Sequence, residues 1–203
     1  MIVKKYGIII LAAGGSSRLG EPKQLLPYGN GNLIQRAVTE AKATDAKKVV
    51  VVLGSNAEEI EKALSNIEVE IVRNESWSEG IGASIRTGVN LVANDESLDG
   101  VILMVCDQPY VSSASLMELM NHQRSSGKPV VASQYKNTVG TPAFFHRSFF
   151  KHLQSLEGDT GAKKILIDYS DQVFNVKFPL GDIDIDTRSD YEMLLKQNSD
   201  HDS

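Results

Sequence analysis

Short, continuously apolar runs rich in β-branched residues occur at 6–13, 48–53, 69–73 and 100–106. Longer stretches with apolar residues at three-to-four spacing separate them, and this alternation predicts βαβ units with helices over 32–43, 56–64, 82–93 and 113–124. Runs this uniformly apolar predict strands buried on both faces, as in a parallel sheet covered by helices. After Pro129 the pattern is less regular: strands are expected at 130–133, 141–145 and 173–178, and helices starting at Arg147 and Asp159. Asp159 reads as an N-cap. Thr187 and Asp190 have capping-box spacing, which predicts a last helix beginning after Thr187. The fold class expected is a three-layer αβα arrangement with a mainly parallel sheet.

The 203 residues fit one core, and no repeat, low-complexity tract or long linker marks a boundary. A single domain over 1–197 is expected, followed by a disordered polar tail at 198–203. Lys4-Lys5 ahead of an apolar run imitates a secretory signal, but the run at 8–13 is shorter than the ~7–15 residues of such a segment and reads as a buried strand. No apolar stretch approaches the ~20 residues of a membrane span. A net charge of −5 without a Lys/Arg cluster argues against nucleic-acid binding and for a small-molecule partner. Cys106 is the single cysteine, which excludes an intramolecular disulfide and a cysteine-only metal site and suits a reducing, cytoplasmic setting. At the end of an apolar run it reads as a small buried hydrophobe. The four histidines, at 122, 146, 152 and 201, lack ligand spacing.

The first strand opens directly into Gly14-Gly15-Ser16-Ser17-Arg18-Leu19-Gly20. Glycines after a strand, at the carboxyl edge of a parallel sheet, stand where such folds bind ligands. The spacing is not G-x-G-x-x-G, and Glu21-Pro22 replaces the Lys-Ser/Thr of a P-loop. What remains is a flexible turn whose amides can approach phosphate oxygens, with Arg18 as a forked donor and Lys23 as a compact charge. An ordinary glycine turn with solvated charges fits the composition equally well.

Asp107 ends the apolar run 101–105 and is followed by Gln108-Pro109, a good position for a cation-binding carboxylate as well as for a simple turn aspartate. Magnesium takes one or two protein carboxylates, so Asp107 is the first candidate ligand. Asp182-Ile183-Asp184-Ile185-Asp186 would place three carboxylates on one face of an extended chain, which needs a cation or solvent. The alternative is an exposed acidic loop. The glycine-rich stretch 77–88 can present Ser84 to a ligand, or can simply lead into a helix with Trp77 in the core.

Read in order, LAAGGSSRLGEPKQLLP, RNESWSEGIGASIRTG, VCDQP, VGTPAFF, GDTGAKK and DIDT resemble the MobA-like nucleotidyltransferases, most closely their molybdenum cofactor cytidylyltransferase branch. The resemblance implies a Rossmann-like nucleotidyltransferase fold and transfer of CMP from CTP to the terminal phosphate of molybdopterin, releasing pyrophosphate with Mg2+. It implies that Leu11, Ala12, Ala13, Gly14, Gly15, Ser16, Arg18, Lys23 and Ser84 hold the nucleotide, with Arg18, Lys23 and Asp107 catalytic. Asp107 and either Asp186 or Asp184 would bind metal, Asp186 being preferred. Gly140, Pro142, Asp159 and Gly161 would meet the acceptor. The Ala12-Ala13-Gly14 start is similar to CTP users, whereas GTP users carry Leu-Ala-Gly-Gly. A molybdoenzyme or its chaperone would be a transient partner. The rival enzymes are a GTP-using molybdopterin guanylyltransferase and a sugar- or polyol-phosphate nucleotidyltransferase, and the rival of another class is a nucleotide-binding cofactor-delivery module without turnover.

Overall fold

The computed structural model describes residues 4–201, with side chains over 4–197. In chain order the strands are β1 (Tyr6–Ala12), β2 (Pro27–Tyr28), β3 (Gly31–Asn32), β4 (Lys48–Leu53), β5 (Glu70–Arg73), β6 (Gly100–Val105), β7 (Val130–Tyr135), β8 (Thr138–His146) and β9 (Val173–Lys177). The helices are α1 (Leu33–Lys42), α2 (Ala57–Leu64), α3 (Ile81–Ala93), α4 (Ser113–Ser126), α5 (Phe150–Gln154), α6 (Lys163–Asp168) and α7 (Arg188–His201).

One seven-stranded sheet has the order β5-β4-β1-β6-β8-β7-β9, with β8 as its antiparallel member. Every residue of β1 is buried, because it is flanked by parallel strands and covered on both faces. Its alternate side chains feed two cores. Ile8 and Ile10 pack with α1, α2 and α4, while Ile9 and Leu11 pack with α3, α5 and α6. The three-layer expectation therefore holds, and the period of two along β1 is what separates the layers. The short runs read as strands match closely, although β5 lies at the sheet edge and is not covered on both faces.

Capping explains the best-placed helices. Asn32 accepts from the Gln35 N–H while the Gln35 side chain accepts from the Asn32 N–H, at 3.0 and 3.1 Å. Thr187 and Asp190 exchange equivalent bonds at the start of α7: the Thr187 N–H donates to the Asp190 carboxylate at 2.8 Å and the Asp190 N–H donates to Thr187 Oγ1 at 3.2 Å. Asp159 is a correction: α6 begins at Lys163, four residues later, with Ala162 at its N-cap, and Asp159 lies in the separate turn at 158–159. The last helix extends to His201, into the stretch expected as tail, and residues 202–203 lie outside the described residues.

A third, smaller core joins Leu26 and Leu33 to Ile185, Tyr191 and Leu194. It docks α7 on the β2–β3 ribbon, where Tyr191 donates to the Pro27 carbonyl at 2.7 Å. Ile185 is fully buried there. Burying such a side chain contributes about 2–3 kcal/mol, enough to fix the direction of the two aspartates beside it.

Candidate active site

The ends of β1 and β6 and the start of α3 enclose a cleft of about 360 Å³, within the ~300–1,000 Å³ of small-molecule sites. It lies at the carboxyl edge of the sheet, where β1 is flanked by β4 on one side and by β6 on the other, the switch point at which open α/β sheets bind ligands. Leu11, Ala12, Ala13, Gly14, Gly15 and Lys23 form one wall. Ser84, Cys106, Asp107 and Asp159 belong to the others.

The glycine loop leaves its donors available. Among the described residues, the N–H groups of 14–18 donate to no protein acceptor. Ser16 holds a left-handed φ of 51°, the kind of backbone turn with which a run of free amides can form a concavity for an anion. Support comes from below. Gln24, 1% exposed, donates through Nε2 to the carbonyls of Ala12 and Gly14, each at 2.9 Å, and the Lys23 N–H donates to Ser16 Oγ at 3.0 Å. Gln24 was invisible in the sequence, where a glutamine beside a charged motif reads as surface.

Lys23 starts a single 3-10 turn, Lys23–Leu25, that brings its ammonium between two carboxylates. It donates to Asp107 Oδ2 and, at 2.9 Å, to Asp186 Oδ1. Burial pulls the lysine pKa down, but Asp107 and Asp186 outweigh it and hold it above the ordinary lysine value. Asp186 in turn is held below the usual carboxylate range, first by the Lys23 hydrogen bond. Arg18 reaches Asp186 Oδ2 at 2.9 Å, with its side chain mostly exposed. Arg18 thus stands at the rim and not in the wall of the cleft.

The acidic segment takes a different form from the single row of three carboxylates expected. It is not a strand, and Asp182 pairs with Lys136 on the turn after β7. Asp184 and Asp186 stay near Asp107, because the Ile185 N–H donates to the Asp107 carbonyl at 3.0 Å and buried Gln108 donates to the Gly181 carbonyl at 2.7 Å. The Asp184 carboxyl is pushed up to about 6 by the protein packed around it and by the charges of Asp107 and Asp186. Solvent at its exposed side screens part of that repulsion.

These residues fit a divalent cation. Asp107 Oδ1 is buried with no hydrogen-bond partner, an acceptor left for a ligand of positive charge. Among the described residues no ready-made cage of three His, Cys, Asp or Glu side chains exists, since Asp107 and Asp186 converge on the Lys23 ammonium. Magnesium needs one or two carboxylates and completes its shell with water and substrate oxygens, so the pair suffices.

Trp77 is a second correction. It is 39% exposed on a one-turn helix, Trp77–Glu79, and lines the cleft instead of filling the core. Ser84 is buried and accepts from Asn74 Nδ2 at 3.0 Å. Asp159 lines the cleft opposite the loop, and Gly161 packs near Ile81. Gly140 and Pro142 lie on β8 outside the cleft wall: Gly140 makes room for the Tyr135 ring, and the Pro142 carbonyl accepts from Ser133 at 2.7 Å.

Cys106 lines the cleft but is 4% exposed, and burial, then the Asp107 charge, pushes its thiol up to about 12. At pH 8 it is neutral, and the thiolate is the reactive form. Iodoacetamide at pH 8 is therefore expected to leave Cys106 unmodified in the folded protein and to alkylate it in denaturant, as read by intact mass; rapid labelling of the folded protein would contradict this burial.

The chain is 35% identical over 169 residues to nicotine blue oxidoreductase of Paenarthrobacter nicotinovorans, covering 78% of this chain and 79% of that protein. It is 26% identical to the bifunctional protein GlmU of Coxiella burnetii over 77% of this chain, and spans 34% of that protein's length. The crystal structure of Rv0371C from Mycobacterium tuberculosis H37Rv in complex with manganese is similar with a TM-score of 0.80 and 27% identity, over 95% of this chain and 99% of that one. A family model for the MobA-like NTP transferase domain matches residues 8–173, which include β1, the glycine loop, Lys23 and Asp107, and so the chain belongs to the MobA-like nucleotidyltransferases.

Proposed function

We propose that the protein transfers CMP from CTP to the terminal phosphate of molybdopterin. The observation that carries the catalytic part of this reading is the Lys23 ammonium seated between Asp107 and Asp186 at the foot of a loop with unpaired amides. The amides of 14–18 bind the β- and γ-phosphate oxygens of the triphosphate. Lys23 neutralises charge that grows on the departing pyrophosphate, and Arg18 does so from the rim. An oxygen of the acceptor phosphate attacks the α-phosphorus. The bond from that phosphorus to the bridging oxygen breaks, and pyrophosphate leaves with the electron pair.

Asp107 and Asp186 would hold Mg2+, which supplies charge neutralisation at the α-phosphate and orients it. The manganese bound to the related mycobacterial protein supports a divalent cation here. Reaction therefore requires positioning and electrostatics, without a protein nucleophile. Inert Cys106 agrees with that.

The cytosine preference rests on Ala13, whose β-carbon lies in the cleft wall close to Gly54. Asp159 and the turn around Gly161, across the cleft, are where the acceptor would bind. Incubation of the protein with molybdopterin, Mg2+ and CTP or GTP, with pyrophosphate measured, is expected to give faster release from CTP by at least about ten-fold, the discrimination a pocket contact supplies. Equal rates would remove the weight placed on Ala13. Release only with a sugar or polyol phosphate would replace the acceptor, and no release with any acceptor and any nucleotide would leave a binding module.

A further inference from the structure

We propose that Trp77 is a positioning residue for the phosphate loop, its indole serving as a wedge that holds Gly15 against the end of β4. The proposal rests on reading that loop as the triphosphate cradle. The loop's own backbone bonds run from the Leu19 and Gly20 N–H groups to the Ser16 carbonyl, at 3.0 and 3.3 Å, and none comes from the amides of 14–18, so the placement of Gly14 and Gly15 falls to side chains. Gln24 is the support on one side, through the carbonyls of Ala12 and Gly14. Trp77 is the support on the other.

The ring meets two glycines from different loops. A β-carbon at Gly15 would lie 3.3 Å from Trp77 Cζ3 and 3.6 Å from Cη2. One at Gly54 would lie 2.8 Å from Trp77 Cγ and 2.9 Å from the Ala13 β-carbon, closer than real β-carbons come. Both positions thus lack side chains where one indole passes between them. The platform that carries the ring is itself anchored by Asn74, which is 4% exposed. Its N–H donates to the Leu53 carbonyl at 2.7 Å, its Nδ2 to Ser84 Oγ at 3.0 Å, and its Oδ1 accepts from the Ser76 N–H at 3.1 Å. The wedge is therefore tied to β4 and α3, and a tryptophan left 39% exposed at the cleft rim forgoes burial to stand there.

Trp77 is the sole tryptophan, so its emission reports the loop directly. Titration of the wild-type protein with CTP and Mg2+ is expected to change that emission saturably. Trp77→Ala is expected to raise the KM for the nucleotide about ten-fold with kcat little changed, because loop placement is lost and the reacting atoms are untouched. Trp77→Phe, which keeps a ring, restores most of the KM. Gly54→Ala displaces the ring while keeping the chromophore, and should shift the emission and raise KM together.

An unchanged KM in Trp77→Ala, or a fall in kcat at constant KM, overturns the proposal. So does a Gly54→Ala protein with wild-type emission and KM. If the alanine variant fails to fold, Trp77→Leu gives the same KM-against-kcat reading. A wild-type protein that neither binds nor turns over any nucleoside triphosphate would instead overturn the cradle reading.

Discussion

Asp107→Ala is expected to lower pyrophosphate release by at least ~10³-fold, the several kcal/mol that a catalytic cation supplies. The reason is geometric. Asp107 offers one oxygen to Lys23 and keeps a second, buried oxygen without a partner, so it is the carboxylate whose removal costs both the lysine contact and the cation. Asp186, more exposed and shared with Arg18, cannot replace it. Thermal unfolding should show a folded variant, because β6 and its hydrogen bonds end before residue 107. Activity within ten-fold of wild type would remove Asp107 from the reaction.

Lys23→Ala is expected to cost roughly 10²–10³-fold in kcat, the loss typical when one preorganised donor to a developing negative charge is deleted. Lys23→Arg should recover little. The slot between Asp107 and Asp186 holds a compact ammonium with 15% side-chain exposure, and a planar guanidinium does not fit the same two contacts. The charge state has a clear sign. The folded pKa of Lys23 lies above its ordinary value of 10.5, so with both carboxylates ionised its ion pairs contribute full stability up to pH 10.5 and are lost only as pH rises through the higher folded value. The rate should therefore show no alkaline limb from Lys23 below about pH 10. A fall in kcat near pH 8 that disappears in the Lys23→Ala protein would contradict the ion-pair geometry.

Both variants depend on contacts between residues far apart in the chain, and that distance divides what could be read early from what could not. Asp107 was legible because a carboxylate at the end of an apolar run projects from the carboxyl edge of a parallel sheet wherever that run sits. The helix over Leu33–Lys42 was legible because its apolar residues recur at three-to-four spacing, and the structure adds that Asn32 and Gln35 cap it locally. Asp159 misled because N-cap chemistry also suits turns, and the two cannot be told apart without the hydrogen bonds. Trp77 misled because a large aromatic is mostly buried on average even when its sequence neighbours are polar, and only the glycines at 15 and 54 show where the ring goes.

The sequence by itself determined the layered fold, the position of the glycine loop and the aspartate after β6. Those features follow from periodicity, capping and strand ends, which are properties of neighbouring residues. Tertiary structure alone decided that Asp186 meets a lysine 163 positions away, that Asp182 turns aside to Lys136, and that Gln24 and Trp77 hold the loop from opposite sides. Each of these depends on the direction of a side chain across an interface. Burial of Ile185 in the core beneath α7 sets the direction of the neighbouring acids, and no local pattern encodes which side of the segment that core will occupy.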